Sequence, residues 1–316
     1  MKILVIHTGG TIGMVQTDQG FAPKPGVVEA ALTDLRPSFP GTTLNIKTLA
    51  PLIDSAHATF ADWNRIAATI ASEHDDHDGF VITHGTDTMA FTAAALCFAL
   101  HGLHRPVVLT GSMIPLGLAE SDGYSNLAAA IDAAQSSAAG VWVQFAGRLL
   151  HGARVRKVHS QNPNAFEDSA SGQAPLFPAT SLRLAVFGCP QITIQTVSPG
   201  GSGKAIAAAL LASDGAVLRV FGAGTIPADP ALKQGLLDAQ TKGISIICVS
   251  QSPAGGVQLG AYAAGNALVE LGVIDGRDAT PEAAYAKLAY VLGLPKHERH
   301  ASLARNLCGE MADQCI

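Results

Sequence analysis

Two short segments of this 316-residue sequence carry hydroxyl groups where chemistry needs them. The first is Thr8-Gly9-Gly10-Thr11-Ile12-Gly13 and the second is His84-Gly85-Thr86-Asp87-Thr88. Each follows a continuous apolar run, 2–7 and 79–84, of the kind shown by a strand buried on both faces. Each then breaks at glycine, which lets the backbone turn tightly and approach a ligand. Open α/β sheets bind ligands beyond the carboxyl ends of their strands. Two hydroxyl-bearing loops on one sheet edge therefore point to a nucleophile with a supporting group. A threonine hydroxyl is a weak nucleophile until a neighbour takes its proton. Thr11 is the candidate, and Gly9, Gly10 and Gly13 leave N–H groups to meet developing negative charge. The same residues also fit an ordinary glycine-rich strand-to-helix turn. They do not form the G-x-G-x-x-G of a dinucleotide loop.

In the second loop Asp87 fits two roles. It caps a helix predicted from residue 87, or it holds a substrate ammonium group, with Thr86 donating to a substrate carbonyl or placing a water. Lys157 follows Arg154 and Arg156. A lysine whose pKa is lowered by burial acts as a base beside a hydroxyl, whereas most lysines are solvated. Arg154 and Arg156 read as surface or interface groups. Asp54-Ser55 follows the apolar run 49–53 and belongs at another strand end, where Ser55 suits a carboxylate; a helix cap ahead of residues 61–74 fits equally well. His74-Asp75-Asp76-His77-Asp78 reads as a solvated connection, and His297-Glu298-Arg299-His300 lacks the H-E-x-x-H spacing. No metal is expected.

The elements that must position these residues alternate. Strands are predicted at 2–7, 44–49, 79–84, 106–110 and 141–146, with helices at 26–36, 61–74, 87–101 and 122–137. This is the rhythm of βαβ units around a mostly parallel sheet flanked by helices. Asp122 is a plausible cap for the 122–137 helix. Residues 148–178 break the rhythm, as a hairpin or irregular excursion. The run 182–197 looks extended. Beyond it, helices are predicted at 203–212, 230–242, 264–271, 281–292 and 301–313, and strands at 216–221 and 245–250. The expected organisation is an α/β catalytic domain over 1–180, a linker over 181–200 and a second, smaller α/β domain over 201–316.

Composition narrows the function classes. Apolar residues make up 48% and charged residues 14%, which points to buried subunit surface. No apolar run approaches the roughly 18 residues of a membrane span. The net charge of −5 comes without a dense basic stretch, so nucleic acid is not an expected partner. The five cysteines are odd in number and include no CxxC. Together with the lack of an N-terminal leader pattern, they predict thiols in a reducing cytoplasm. Against that reading stands a Cys308–Cys315 bridge as a lesser alternative.

Taken together, the motifs resemble those of the bacterial L-asparaginase family. Thr8-Gly9-Gly10-Thr11-Ile12-Gly13-Met14 is similar to its first signature and His84-Gly85-Thr86-Asp87-Thr88-Met89 to its second. Asp54-Ser55, Thr110-Gly111-Ser112 with Ser121-Asp122-Gly123 and Asn126-Leu127, and Arg154 to Lys157 with Ala165-Phe166 follow in the family order. Gly222-Ala223-Gly224 and Gly265-Asn266-Ala267-Leu268 extend the likeness nearly to the end of the chain. The lack of a leader resembles the cytoplasmic, type I branch.

The resemblance implies conversion of L-asparagine to L-aspartate and ammonia, without a cofactor. It makes Thr11 the nucleophile and groups Thr86, Asp87 and Lys157 as a catalytic triad. Asp87 would hold the α-ammonium and Asp54 with Ser55 the α-carboxylate. The Gly10-Thr11 and Thr86 region would polarise the amide oxygen. It also implies a homodimer or homotetramer. A glutaminase or amidotransferase-type amidase is the alternative, and a non-catalytic amino-acid or nucleotide-binding protein a further one. The chain departs from the family pattern in having Phe21 where a tyrosine is usual, Thr225 in place of asparagine, and Arg156 where allosteric members tend to have threonine. Phe21 has no hydroxyl to relay a proton; a water, Tyr262 or the Lys157–Thr86 pair would have to serve.

Overall fold

A computed structural model of the chain describes residues 1–18, 20–169, 175, 179–261 and 265–313. The expected roles of Tyr262 and of Cys315 lie outside the described residues. The chain divides into two compact units, Met1–Ala185 and Val186–Ile316.

The first unit runs β1 (Lys2–Gly9), β2 (Met14–Thr17), β3 (Gly20–Pro23), α1 (Val27–Leu35), β4 (Thr43–Ile53), α2 (Phe60–Glu73), β5 (Gly79–Thr83) and α3 (Met89–Ala99). It continues with β6 (Leu100–His101), β7 (Pro106–Thr110), α4 (Gly123–Ser136), β8 (Gly140–Phe145), β9 (Arg148–His151), β10 (Val155–Lys157), β11 (Phe166–Asp168) and β12 (Arg183–Leu184). Its main sheet has the order β4-β1-β5-β7-β8-β9. All neighbours are parallel except the antiparallel pair β8 and β9. Strands β5 and β7 are buried along their whole length, as their unbroken apolar sequences require.

The strand order explains where a site must lie. From β1 the chain goes to β4 on one side and then crosses to β5 on the other. The crevice at the carboxyl ends of β4, β1 and β5 is therefore the topological switch point of the sheet. Strand alternation sends Ile3 and Val5 to one face, where they join a core with Val28, Leu32, Val81, Leu127 and Ile131 of the neighbouring elements. Helix α3 is buried almost all round, so its alanine-rich sequence serves packing rather than a solvent face.

The second unit contains β13 (Ile192–Thr196), α5 (Gly203–Leu211), β14 (Gly215–Val220), α6 (Pro230–Thr241), β15 (Ser245–Ser250), α7 (Asn266–Glu270), β16 (Ile274–Asp275), α8 (Pro281–Leu292) and α9 (Lys296–Ala304). Its sheet, β13-β14-β15-β16, is parallel throughout. Within the stretch 181–200, read from the sequence as a linker, Arg183–Leu184 pairs with β6 and Ile192–Thr196 forms the edge strand of this second sheet.

Four further expectations are corrected. The helix predicted at 301–313 is instead α9, Lys296–Ala304. Beyond it, Gly309 takes φ +93° and the Glu310 carboxylate accepts the Leu307 and Cys308 amides, a local turn that competes with helix. Asp122 stands at the N-cap of α4, but its carboxylate accepts the Met113 and Ile114 amides and Asn126 Nδ2 rather than helix N–H groups. His74 and His77 are buried, whereas Asp75 and Asp76 between them are exposed; His77 Nε2 lies 3.1 Å from Asn45 Nδ2. Arg154 is fully buried rather than a surface group.

Candidate active site

Three loops meet at the switch point. Beyond β1, Gly10 takes φ +88°, a conformation open to glycine at no steric cost. Thr11, Ile12 and Gly13 then form one 3-10 turn, closed by Gly13 N–H on the Gly10 carbonyl at 3.1 Å. A Cβ placed on Gly10 would collide with the Gly85 nitrogen, and one on Gly85 would collide with Ser55 Oγ. The loops after β1 and β5 are thus in backbone contact, with the Ser55 side chain of the loop after β4 packed against Gly85, and Thr11 and Thr86 each follow a contacting glycine. The Thr11 hydroxyl makes no hydrogen bond among the described residues.

Asp87 does not cap a helix. Helix α3 starts at Met89, with Thr88 at its N-cap, and Thr88 Oγ1 donates to the Ser55 carbonyl at 2.8 Å. Thr86 and Asp87 are left in the loop, and Lys157 at the end of β10 reaches both. Its Nζ lies 2.9 Å from Thr86 Oγ1 and 2.7 Å from Asp87 Oδ1. The Lys157 side chain is 17% exposed and that of Asp87 67%. The Lys157 nitrogen is therefore held at the edge of the interior, while the Asp87 side chain stays largely in solvent. Strand β10 is held by β11, where Lys157 pairs with Phe166.

Asp54 caps the 3-10 turn Ser55–His57 and not α2, whose cap is Thr59 with Asp62. Its Oδ1 accepts the Ala56 amide at 3.1 Å. Ser55 beside it is buried. All seven residues expected at the site, Gly10, Thr11, Asp54, Ser55, Thr86, Asp87 and Lys157, are therefore on loops or strand ends of the first unit, and the contacts above link them. Phe21 lies in β3 of the short β2–β3 hairpin and is 47% exposed. Thr225 closes a turn in the second unit, donating its N–H to the Phe221 carbonyl. Among the described residues no group of three or more His, Cys, Asp or Glu is placed to hold a metal ion.

The structure adds residues the sequence left without a role. His7 and Thr83 are adjacent across β1 and β5, and His7 Nδ1 lies 2.7 Å from Thr83 Oγ1. A Cβ on Gly13 would come within 3.0 Å of His7 Nε2, so this ring supports the turn that carries Thr11. Burial pushes its pKa down, opposed by the nearby Glu29 carboxylate. On the opposite face His84 is also buried, and burial lowers its pKa against the Gly85 carbonyl and Asp62. The signal for both was a histidine inside an otherwise apolar strand run, where a polar ring needs a partner. Ser112, beyond β7, is buried with no partner for its Oγ among the described residues.

The loop after β1 presents a threonine hydroxyl and the loop after β5 a Thr–Asp pair joined by Lys157 of β10, an arrangement suited to hydrolysis. The comparisons with known proteins agree. Residues 2–184 match the family description "Asparaginase, N-terminal" and residues 191–302 the "Glutaminase/Asparaginase C-terminal domain". The chain belongs to the asparaginase family and is an amidohydrolase. It is 37% identical over 335 residues to L-asparaginase 1 of Escherichia coli K12, covering 98% of each chain. The solved thermostable L-asparaginase from Thermococcus kodakarensis is 32% identical, covers 99% of this chain and 100% of its own, and superposes with a TM-score of 0.91. L-asparaginase I from Vibrio cholerae is 36% identical over 98% of this chain and 99% of its own, with a TM-score of 0.87.

Proposed function

We propose that this chain hydrolyses L-asparagine to L-aspartate and ammonia through an acyl-threonine on Thr11. The observation that carries this reading is the Lys157 side-chain nitrogen joined to both Thr86 and Asp87, beside the turn that presents Thr11. In the first step Thr11 Oγ1 attacks the side-chain amide carbon of the substrate. Its proton passes by way of the Thr86–Lys157 pair to the amide nitrogen, the C–N bond breaks, and ammonia leaves. In the second step water attacks the ester and Thr11 recovers its proton. Atoms and charge balance with water as the sole co-reactant, so the sequence needs no cofactor. The N–H groups of the Gly10–Thr11 and Thr86 region stabilise the oxyanion in both steps.

Substrate binding follows from charge. The Asp87 carboxylate, with one oxygen on Lys157, takes the α-ammonium on the other. Ser55 Oγ and backbone N–H groups take the α-carboxylate; the Asp54 side chain would repel it, so Asp54 contributes through its backbone and by shaping the Ser55 turn. Glutamine differs by one methylene, which a pocket discriminates by only about 1–3 kcal/mol. Ammonia release measured on asparagine and glutamine in parallel tests the reading: a higher kcat/KM for asparagine supports it, glutamine preference would make the chain a glutaminase, and no release from either would overturn it. A homodimer or homotetramer is supported by the apolar composition. Cytoplasmic residence is supported by the unbridged thiols Cys97, Cys189 and Cys248.

A further inference from the structure

A buried hydrogen-bond chain runs from α2 through α3 to the second site loop. Trp63 Nε1 lies 3.0 Å from Thr92 Oγ1, Thr92 Oγ1 3.0 Å from His84 Nε2, and His84 Nδ1 2.8 Å from the Gly85 carbonyl oxygen. Trp63, Thr92 and His84 are all buried. The chemistry of its two ends assigns every proton in the chain. An indole N–H can only donate and a carbonyl oxygen can only accept. Trp63 therefore donates to Thr92, Thr92 donates its single proton to His84 Nε2, and His84 donates from Nδ1 to Gly85. The ring is neutral and in its Nδ1–H form. A second ring proton would face Thr92 and strand the Thr92 hydroxyl proton in the interior.

The last link matters for the site. The Gly85 carbonyl belongs to the peptide joining Gly85 to Thr86. In a trans peptide the N–H points opposite to the C=O. Holding the carbonyl towards His84, on the α2–α3 side of the sheet, turns the Thr86 N–H the other way. That N–H has no acceptor among the described residues. We propose that Trp63, Thr92 and His84 are positioning residues that lock the Gly85–Thr86 peptide, so that the Thr86 N–H stands as a fixed donor to the oxygen of the substrate amide. The proposal rests on the assignment of Thr86 to the site made above.

The test compares Thr92→Val, which keeps the shape and removes the hydroxyl, with Thr92→Ser, which restores it. A donor that matters most for the developing oxyanion shows in kcat and kcat/KM together. Thr92→Val is expected to lower both by about 10–100-fold, below the ~10²–10³ lost when an oxyanion donor is deleted outright. KM should stay near the wild-type value, and Thr92→Ser should recover most of the loss. Nitrogen-15 spectra of histidine-labelled wild-type protein should place His84 in the Nδ1–H form, a readout that requires no variant to fold. Wild-type kcat in Thr92→Val, a loss confined to KM, or an Nε2–H ring in the wild type would each overturn the proposal. Thr86→Val serves as the control: if it remains fully active, the site assignment itself fails, whereas an inactive Thr86→Val beside a fully active Thr92→Val refutes only the chain.

Discussion

At the scale of single residues, Lys157 carries the most specific expectation. Its amine touches Thr86 and Asp87, so Lys157→Met should remove the proton path while leaving the hydroxyls in place. Turnover should fall by several orders of magnitude, with aspartate still binding in a titration; near wild-type ammonia release would exclude the assigned role. Phe21 gives a second test. It is half exposed on its hairpin and has no proton to relay. Phe21→Tyr should raise kcat towards the lower end of the ~10²–10⁴-fold that general-base assistance supplies, at nearly constant KM. A variant no faster than wild type would mean that the proton path is complete without that residue. The buried histidines set a pH dependence. The pKa values of His7 and His84 are lowered in the fold, chiefly by burial. Below the ordinary histidine value of about 6.5, the unfolded chain binds protons that the folded chain refuses. Stability from this source is complete above pH 7 and falls as the pH drops below ~6.5, by up to about 1.4 kcal/mol per pH unit for each ring. Melting temperatures measured from pH 8 to pH 5 should decline over that window, and a level or rising profile would contradict it.

At the scale of elements, the close approach of the β1, β4 and β5 loops is what assembles the site. Gly10→Ala would need a left-handed conformation and would drive a methyl group into Gly85. The variant should lose stability by about 1–3 kcal/mol and most of its turnover, read by urea unfolding beside the activity assay. Much of this was legible in the sequence. Apolar runs ending in glycine and threonine at Gly9–Thr11 and Gly85–Thr86 marked β1, β5 and their loops, because a doubly buried parallel strand leaves a continuous apolar trace. Less was legible where a side chain serves a distant partner. Asp122 reads as a cap but binds the amides of residues 113 and 114. The residues after 304 read as helix but follow Glu310, which is claimed by Lys287. No local pattern reports such tertiary contacts.

At the scale of the whole molecule, each unit has its own core and its own parallel sheet. The second is pinned by a fully buried ion pair, Lys287 Nζ to Glu310 Oε1 at 2.7 Å, with Lys287 also donating to the Arg305 carbonyl at 2.6 Å. Glu310→Gln leaves that buried ammonium without its counter-charge and should cost about 3–5 kcal/mol. A chemical-denaturation midpoint unchanged in the variant would contradict this. Obligate interfaces resemble a core cut in two, and a chain this rich in apolar residues is expected to run as a dimer or tetramer in light scattering. A stable, fully active monomer would count against it.

The account centres on Thr11 acting with the Thr86–Asp87–Lys157 group, and one measurement reaches it most directly. Ammonia release from L-asparagine is followed for the wild type, Thr11→Ala and Thr86→Val, with circular dichroism establishing that all three are folded. The wild type should turn over, and each variant should fall by several orders of magnitude with the fold retained. A folded Thr11→Ala that releases ammonia at close to the wild-type rate would show that the reaction does not pass through this threonine.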